Sequence, residues 1–327
     1  MSKKIMIVWR PQSRRAKSLS EDIEAELFLA PNNLRNKYCA PLRYLYLSFW
    51  TLLTLLRKRP CLVIATSPPS ICPIVIFLYT RVAKNTNYII DMHHAALVGY
   101  WKRLPFGFWL NKLVMDKAMF SIMHNECIKS IGDENHITSV VLETKIPKIN
   151  RKQSQETCGY NEFSILVPCS FDSDEPIEEI YKAAEVMNDV NFYLTGNHLR
   201  LKSNINREKP LNVMMTGYLT DEDYDLILNR VKAVLAFTTN DYPVRPRAAS
   251  EAIAAAKPLI ASYNDATKKD LHKGTVLIDN TYECIVNAIQ DIAENYNKYC
   301  SEIKELKRER EAQYEKEMER FKEMVSK

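Results

Sequence analysis

The sequence predicts an α/β protein made of two doubly wound domains. Short apolar runs alternate with helix-compatible stretches along most of the chain. The alternation stops at a polar segment near the middle and then restarts. A length of 327 residues suits two cores better than one.

In the first half, residues 5–8 form a β-rich run followed by a basic loop, Arg10 to Arg15, and a helix-compatible stretch. Residues 25–29 read as a second strand. Residues 61–66 (CLVIAT) read as a third, buried on both faces because its apolarity is unbroken. Ser67-Pro68-Pro69-Ser70 turns into an apolar helix over 71–82. A strand over 88–91 ends in Asp91-Met92-His93-His94. A helix over 112–120 and short strands at 121–123 and 140–142 complete the half. Residues 147–161 read as a linker. Strands are then expected at 164–167, 191–195, 212–215, 233–237, 258–261 and 275–278, with helices at 175–187, 221–230, 248–256 and 282–295. The Lys- and Glu-rich tail reads as a solvated amphipathic helix. These signals divide the chain into domains at 1–155 and 160–297 and a charged helix at 298–327.

Composition removes several functional classes. The eight cysteines form no CxxC pair and sit in no close Cys/His cluster, so neither structural zinc nor any other bound metal is expected. No cofactor is expected either. The N-terminus lacks a secretory pattern, which places the chain in a reducing cytoplasm. Residues 1–150 carry 21 basic and 10 acidic side chains, a net +11; the remainder carries 24 and 30, a net −6. Such asymmetry points one half at an anionic surface. No helix-turn-helix, zinc finger or aromatic RNA-binding signature is present, so nucleic acid is not the expected partner.

A membrane surface fits better. Residues 44–56 run uncharged for 13 positions, short of the roughly 20 that a span needs. Arg43 precedes them and Arg57-Lys58-Arg59 follow. Tyr46, Phe49 and Trp50 supply aromatic rings, the make-up of a helix lying in the membrane interface. Residues 99–109 again mix aromatics and bases, with Trp101 and Trp109, and read as a loop on the same surface. A plain core helix is the competing reading of 44–56.

In the second half, Ser250-Glu251 opens a helix of small residues that can pack close to a sheet, and Pro258 launches a strand. Free N–H groups at a helix start hold a diphosphate, and Glu251 can accept from ribose hydroxyls. This segment resembles the donor-site motif E-A-x-A-x-G-x-P-x-I of GT-B glycosyltransferases, including family 4. Phe192 to Asn197 and Thr216-Gly217-Tyr218-Leu219 resemble further pieces of the donor domain. Ser67-Pro68-Pro69 and Ile90 to His94 resemble stretches of the chitobiosyl-diphosphodolichol β-mannosyltransferases, which act on a lipid diphosphate acceptor.

The resemblance implies two Rossmann-like domains facing across a cleft, and a hexosyltransferase using a UDP or GDP sugar. The acceptor would be lipid-linked or a polysaccharide, and the enzyme peripheral on the inner face of the membrane. The sequence also departs from the pattern. Pro243 stands where family 4 has a second Glu, Ala256 replaces the helix-end Gly, and Arg10–Arg15 replaces the glycine-rich loop. A non-catalytic protein docking on a membrane or partner transferase, and a nucleotide-sugar epimerase, are the alternatives.

The candidate residues follow. Asp91, a carboxylate at a strand end, is the expected base, with His93 beside it. Arg10, Ser13, Arg14, Arg15 and His94 are expected to meet acceptor phosphates. Glu251, Ser250, Gly196 and Asn197 are expected around the donor, with Arg245 and Arg247 supplying charge to its diphosphate. Such an enzyme needs no metal when helix starts and basic side chains stabilise the departing diphosphate.

Overall fold

The computed structural model describes residues 3–31, 40–98, 107–149, 163–171, 175–200, 208–238 and 245–326. The chain divides into two compact units: Met1–Lys145 with Tyr314–Lys327, and Ile146–Gln313.

The first unit is built on β1 (Lys4–Val8), β2 (Glu26–Leu29), β3 (Leu62–Ser67), β4 (Asn87–Met92), β5 (Ser121–Met123) and β6 (Ser139–Val141). They pair in the order β2-β1-β3-β4-β5-β6, every ladder parallel. Helices α1 (Arg14–Asp22), α2 (Ala40–Lys58), α3 (Ile71–Val82), α4 (His94–Val98), α5 (Gly107–Lys117) and α6 (Glu126–Glu134) surround the sheet. Alternation along β1 shows why both faces need cover. Ile5 and Ile7 join a core with Leu55 of α2, Ile76 of α3 and Val114 of α5. Met6 and Val8 join another with Leu19 of α1.

The second unit contains β7 (Phe163–Pro168), β8 (Val190–Thr195), β9 (Val213–Gly217), β10 (Ala233–Ala236), β11 (Leu259–Ser262) and β12 (Thr275–Ile278). Its all-parallel order is β12-β11-β10-β7-β8-β9. Helices α7 (Ile177–Val186), α8 (Asp221–Arg230), α9 (Arg247–Ala255), α10 (Asp265–Asp270) and α11 (Tyr282–Glu294) pack around it. The strand order reverses between β1 and β3 in one sheet and between β7 and β10 in the other. Ligands bind outside the strand ends at such switch points.

The final helix, α12 (Tyr296–Ser326), is 31 residues long and is not a separate charged element. Its apolar positions recur at helical spacing. Tyr299, Ile303 and Leu306 enter cores of the second unit, and Tyr314, Met318 and Phe321 enter a core of the first. Tyr314 Oη donates to Asp22 Oδ2 at 2.7 Å, and Glu317 Oε2 accepts from the Glu143 N–H at 2.7 Å.

Other expectations change. The basic stretch ends in a helix, because Ser13 Oγ accepts from the Ala16 N–H at 3.2 Å and caps α1. Gly107 to Trp109 begin α5 and are not loop; the rest of the 99–109 stretch, Trp101 included, lies outside the described residues, as does 150–161 of the linker. On α2, Trp50 packs against the core and is withdrawn from the membrane-facing set, whereas Phe49, Tyr46 and Arg57 point outward. Trp109 is exposed as expected. Among the described residues, no helix is long and apolar enough to cross a membrane.

Candidate functional site

At the strand ends of the first unit, Asp91 is buried and doubly held. Arg15 Nε donates to both carboxylate oxygens at 3.2 Å, and Arg15 Nη2 donates to Oδ1 at 2.9 Å. His124 Nε2 lies 3.3 Å from Oδ1. Arg15 is itself fixed by donating to Leu142 O at 2.9 Å and Thr144 Oγ1 at 3.1 Å. Burial alone would raise the Asp91 pKa; the Arg15 charge and the His124 hydrogen bond outweigh it and hold the carboxyl well below the usual range. This corrects two expectations. Arg15 is committed to Asp91 and is not an acceptor-phosphate ligand. Asp91 is a weak base whose negative charge organises its neighbours. Removing Arg15 would leave a buried carboxylate uncompensated, typically a loss of about 3–5 kcal/mol.

Three histidines gather here. The rings of His93 and His94 lie 4.1 Å apart, and His124 meets His93 edge-on at 5.5 Å. Burial, then the neighbouring His94 and His124, lower His93 to about 3. Burial and His124 lower His94 to about 4. Burial and the Arg15 charge lower His124, against the pull of Asp91. All three imidazoles are therefore neutral near pH 7. The backbone positions the first of them: the His93 N–H donates to Ser67 O at 2.8 Å, tying the β4 end to the β3 end. His124 escaped the sequence reading; its signal was a polar residue directly after the short strand SIM. Arg10 and Arg14 stand exposed beside this cluster's loop, while Ser13 is used as the α1 cap.

In the second unit, α9 lies almost wholly buried. Glu251, also buried, accepts from Tyr224 Oη and lies 3.3 Å from Arg247 Nε. Arg247 is 67% exposed, so its charge reaches solvent. Arg245 is instead buried against Asp270 at 3.8 Å, with Arg310 on the other carboxylate oxygen at 3.4 Å. That pairing corrects the reading of Arg245 as a charge available to the donor. Ser250 is buried in α9. Gly196 has φ +114°, and a Cβ there would meet Cys169 O at 2.0 Å, so only glycine fits. Asn197 Oδ1 accepts from the Leu199 N–H and closes the same turn. Pro243, at the position of the family's second Glu, lies outside the described residues.

Two arrangements were not foreseen. Ser262 Oγ donates to Asn280 Oδ1 at 2.6 Å and accepts from the Thr238 N–H at 2.8 Å, while Asn280 Nδ2 donates to Thr238 O at 3.0 Å. This network joins the ends of β10, β11 and β12. After β7, the N–H groups of Ser170 and Phe171 converge on the Glu175 carboxylate at 2.7–3.0 Å. Converging backbone amides suit an anion, and here the chain supplies its own. Among the described residues, no group of three or more His, Cys, Asp or Glu is arranged for a metal ion.

No family model matches the chain, and no curated protein sequence matches it. Solved structures do. Sucrose-phosphate synthase from Thermosynechococcus elongatus is 13% identical and superposes with TM-score 0.74 over 100% of this chain and 98% of its own. Anabaena HepE in complex with UDP-glucose is 13% identical, TM-score 0.74, over 100% of both chains. A Listeria monocytogenes structure provisionally described as a UDP-N-acetylglucosamine 2-epimerase is 11% identical, with TM-score 0.60 over 93% of this chain and 91% of its own. The likeness shows the fold, that of the GT-B glycosyltransferases.

Proposed function

We propose that this chain is a GT-B glycosyltransferase that moves a hexose from a UDP or GDP sugar to a lipid-linked or polysaccharide acceptor. In this reading it works at the cytoplasmic face of a membrane, held there peripherally, and requires no metal or cofactor. The observation that carries the proposal is the full-length superposition on a structure holding UDP-glucose, joined to a buried Glu251 on a helix beside the second sheet.

The residues take these roles. Glu251, steadied by Tyr224, receives the donor's hydroxyls. Arg247 and the start of α9 meet the diphosphate, with Gly196, Asn197 and Ser250 shaping the surroundings. Arg245 holds the start of α9 through Asp270. Arg10, Arg14 and His94 receive the acceptor. His93, kept neutral, orients the acceptor hydroxyl by a hydrogen bond, and Asp91 holds His124 and Arg15 in place at the same strand ends. The N-terminal resemblance to the β-mannosyltransferases supports a lipid diphosphate acceptor.

A thermal-shift series with UDP, GDP and their sugars tests the reading. At least one nucleotide should stabilise the chain, and Glu251→Ala should abolish the shift. No shift from any nucleotide at millimolar concentration sinks the proposal. The Listeria structure favours the epimerase as a second reading. Conversion of a nucleotide sugar without any acceptor would select it. Nucleotide binding with neither transfer nor conversion would select a non-catalytic docking protein.

A further inference from the structure

Among the described residues, ten of the fifteen exposed large hydrophobic side chains belong to α2, α3 and α5 of the first unit. These helices pack side by side, α2 on α3 and α3 on α5, with their inner sides in one core. Their outer sides therefore form one surface. On α2, Leu42, Leu45, Phe49, Leu52 and Leu56 stand exposed. Their intervals alternate between three and four residues, which keeps them on one line along the helix. On α3, Leu78 and Val82 add to it, Val82 at 85% exposure. Isolated exposed leucines are ordinary, but a continuous apolar surface of this breadth marks an interaction site.

Charge identifies the partner. Residues 27–115 contain eleven Lys and Arg and a single acidic residue, Asp91, which is buried. Neither α2 nor α3 contains a carboxylate. Both helices link parallel strands, so both run back against the strand direction and end on the same side of the sheet. Arg57 and Arg59 therefore gather with Arg81 and Lys84 beside the apolar stripe, all four exposed. A second copy of this surface would bring like charges together. An anionic bilayer would satisfy both the stripe and the cations.

We propose that the outer sides of α2 and α3 dock on an anionic lipid bilayer. The leucines and Phe49 of α2 sink to the headgroup boundary, and Leu78 and Val82 of α3 enter beside them. Arg57, Arg59, Arg81 and Lys84 meet lipid phosphates. The helix lies in the surface, since Leu47 and Leu55 on its inner side stay in the protein core. The inference rests on the membrane-facing reading above and gives it a surface and a lipid class.

Co-sedimentation of the full chain with phosphatidylcholine vesicles, with and without phosphatidylglycerol, tests it. Capture is expected only with the anionic lipid, and should weaken as salt rises. Leu45→Ser/Phe49→Ser/Leu52→Ser should reduce capture at least ~10-fold. Arg57→Ala/Arg59→Ala/Arg81→Ala, which leaves the apolar stripe intact, should lower it roughly fivefold per cation removed. No capture by anionic vesicles overturns the proposal, as does equal capture by neutral ones. So does a concentration-dependent dimer that the serine variant converts to monomer without vesicle capture. Nucleotide-induced thermal shift measured on the same preparation separates the two claims. A shift without capture removes only the docking surface, and capture without a shift removes only the transferase.

Discussion

Asp91 illustrates how a side chain's partners decide its chemistry. A carboxylate at a parallel-strand end has the placement of a base, but Arg15 and His124 occupy its oxygens. The imidazoles around it are neutral because burial, and then the cost of charging one ring beside another, disfavours their protonated forms. Their titration has a consequence for folding. His93 and His94 have folded pKa values of about 3 and about 4, below the ordinary 6.5 that the unfolded chain restores. Between about pH 4 and 6.5 the unfolded state therefore binds more protons than the folded one. Stability must rise with pH across that window and be lost on acidification through it. Asp91 contributes with the same sign but lower, below its unfolded value of 3.8. A Tm series from pH 7.5 to 4.5 should fall steeply, and His93→Asn/His94→Asn should flatten it. An unchanged slope in that variant would remove the histidines as the cause.

Among the elements, α9 shows a local cost that the sequence already displayed. Ala256 ends the helix at φ 55°, ψ 44°, in the left-handed region, where the GT-B motif carries glycine. The Lys257 N–H reaches Ala252 O at 3.0 Å, closing the turn around it. The conformation costs an L-residue about 1 kcal/mol. Glycine's greater freedom in the unfolded chain takes back roughly half of what relief would gain. Ala256→Gly should therefore raise stability by ~0.5 kcal/mol, seen as a higher urea midpoint with an unchanged slope; a lower midpoint would mean the lost methyl packing dominates. The elements also explain what the sequence could show. Unbroken apolar runs such as 61–66 and 258–261 were legible because strands buried on both faces cannot alternate. Helices α6 and α10 were not. They are short, nine and six residues, and each starts on a side-chain cap, Asn125 and Asn264, that a few polar residues alone do not announce. In the site, Asp91 was legible as a strand-end polar residue. Its pairing with Arg15, 76 positions earlier, was not, because nothing in one sequence records a contact at that separation.

At the scale of the molecule, the chain is not cut cleanly into two parts in sequence. The first unit takes its last core residues from the C-terminus, after the whole second unit has been made. Tyr314, Met318 and Phe321 cover the sheet face formed by Met6, Val8, Ile64, Ile89 and Ile122. Phe321 lies edge-on to Phe120 at 5.6 Å. Tyr314 holds Asp22, and Glu317 holds the Glu143 backbone, next to the segment that fixes Arg15. A chain ending at Gln313 keeps every residue of the second unit but strips one face of the first sheet. Burying a phenylalanine is worth about 3–5 kcal/mol against its removal, and Met318 and Tyr314 go with it. That loss is comparable to the stability of a whole domain. The truncated chain should therefore unfold in two steps. One lies far below the full-length transition and belongs to the first unit; the other stays near the original and belongs to the second. Hydrogen exchange can assign them: amides of β1, β3 and β4 should lose protection while those of β7, β8 and β10 keep it. Phe321→Ala, a smaller change at the same interface, should move only the first step and by less. Equal loss of protection in both sheets would mean that the two units fold as one and that the helix is a shared support rather than a late-arriving part of the first core.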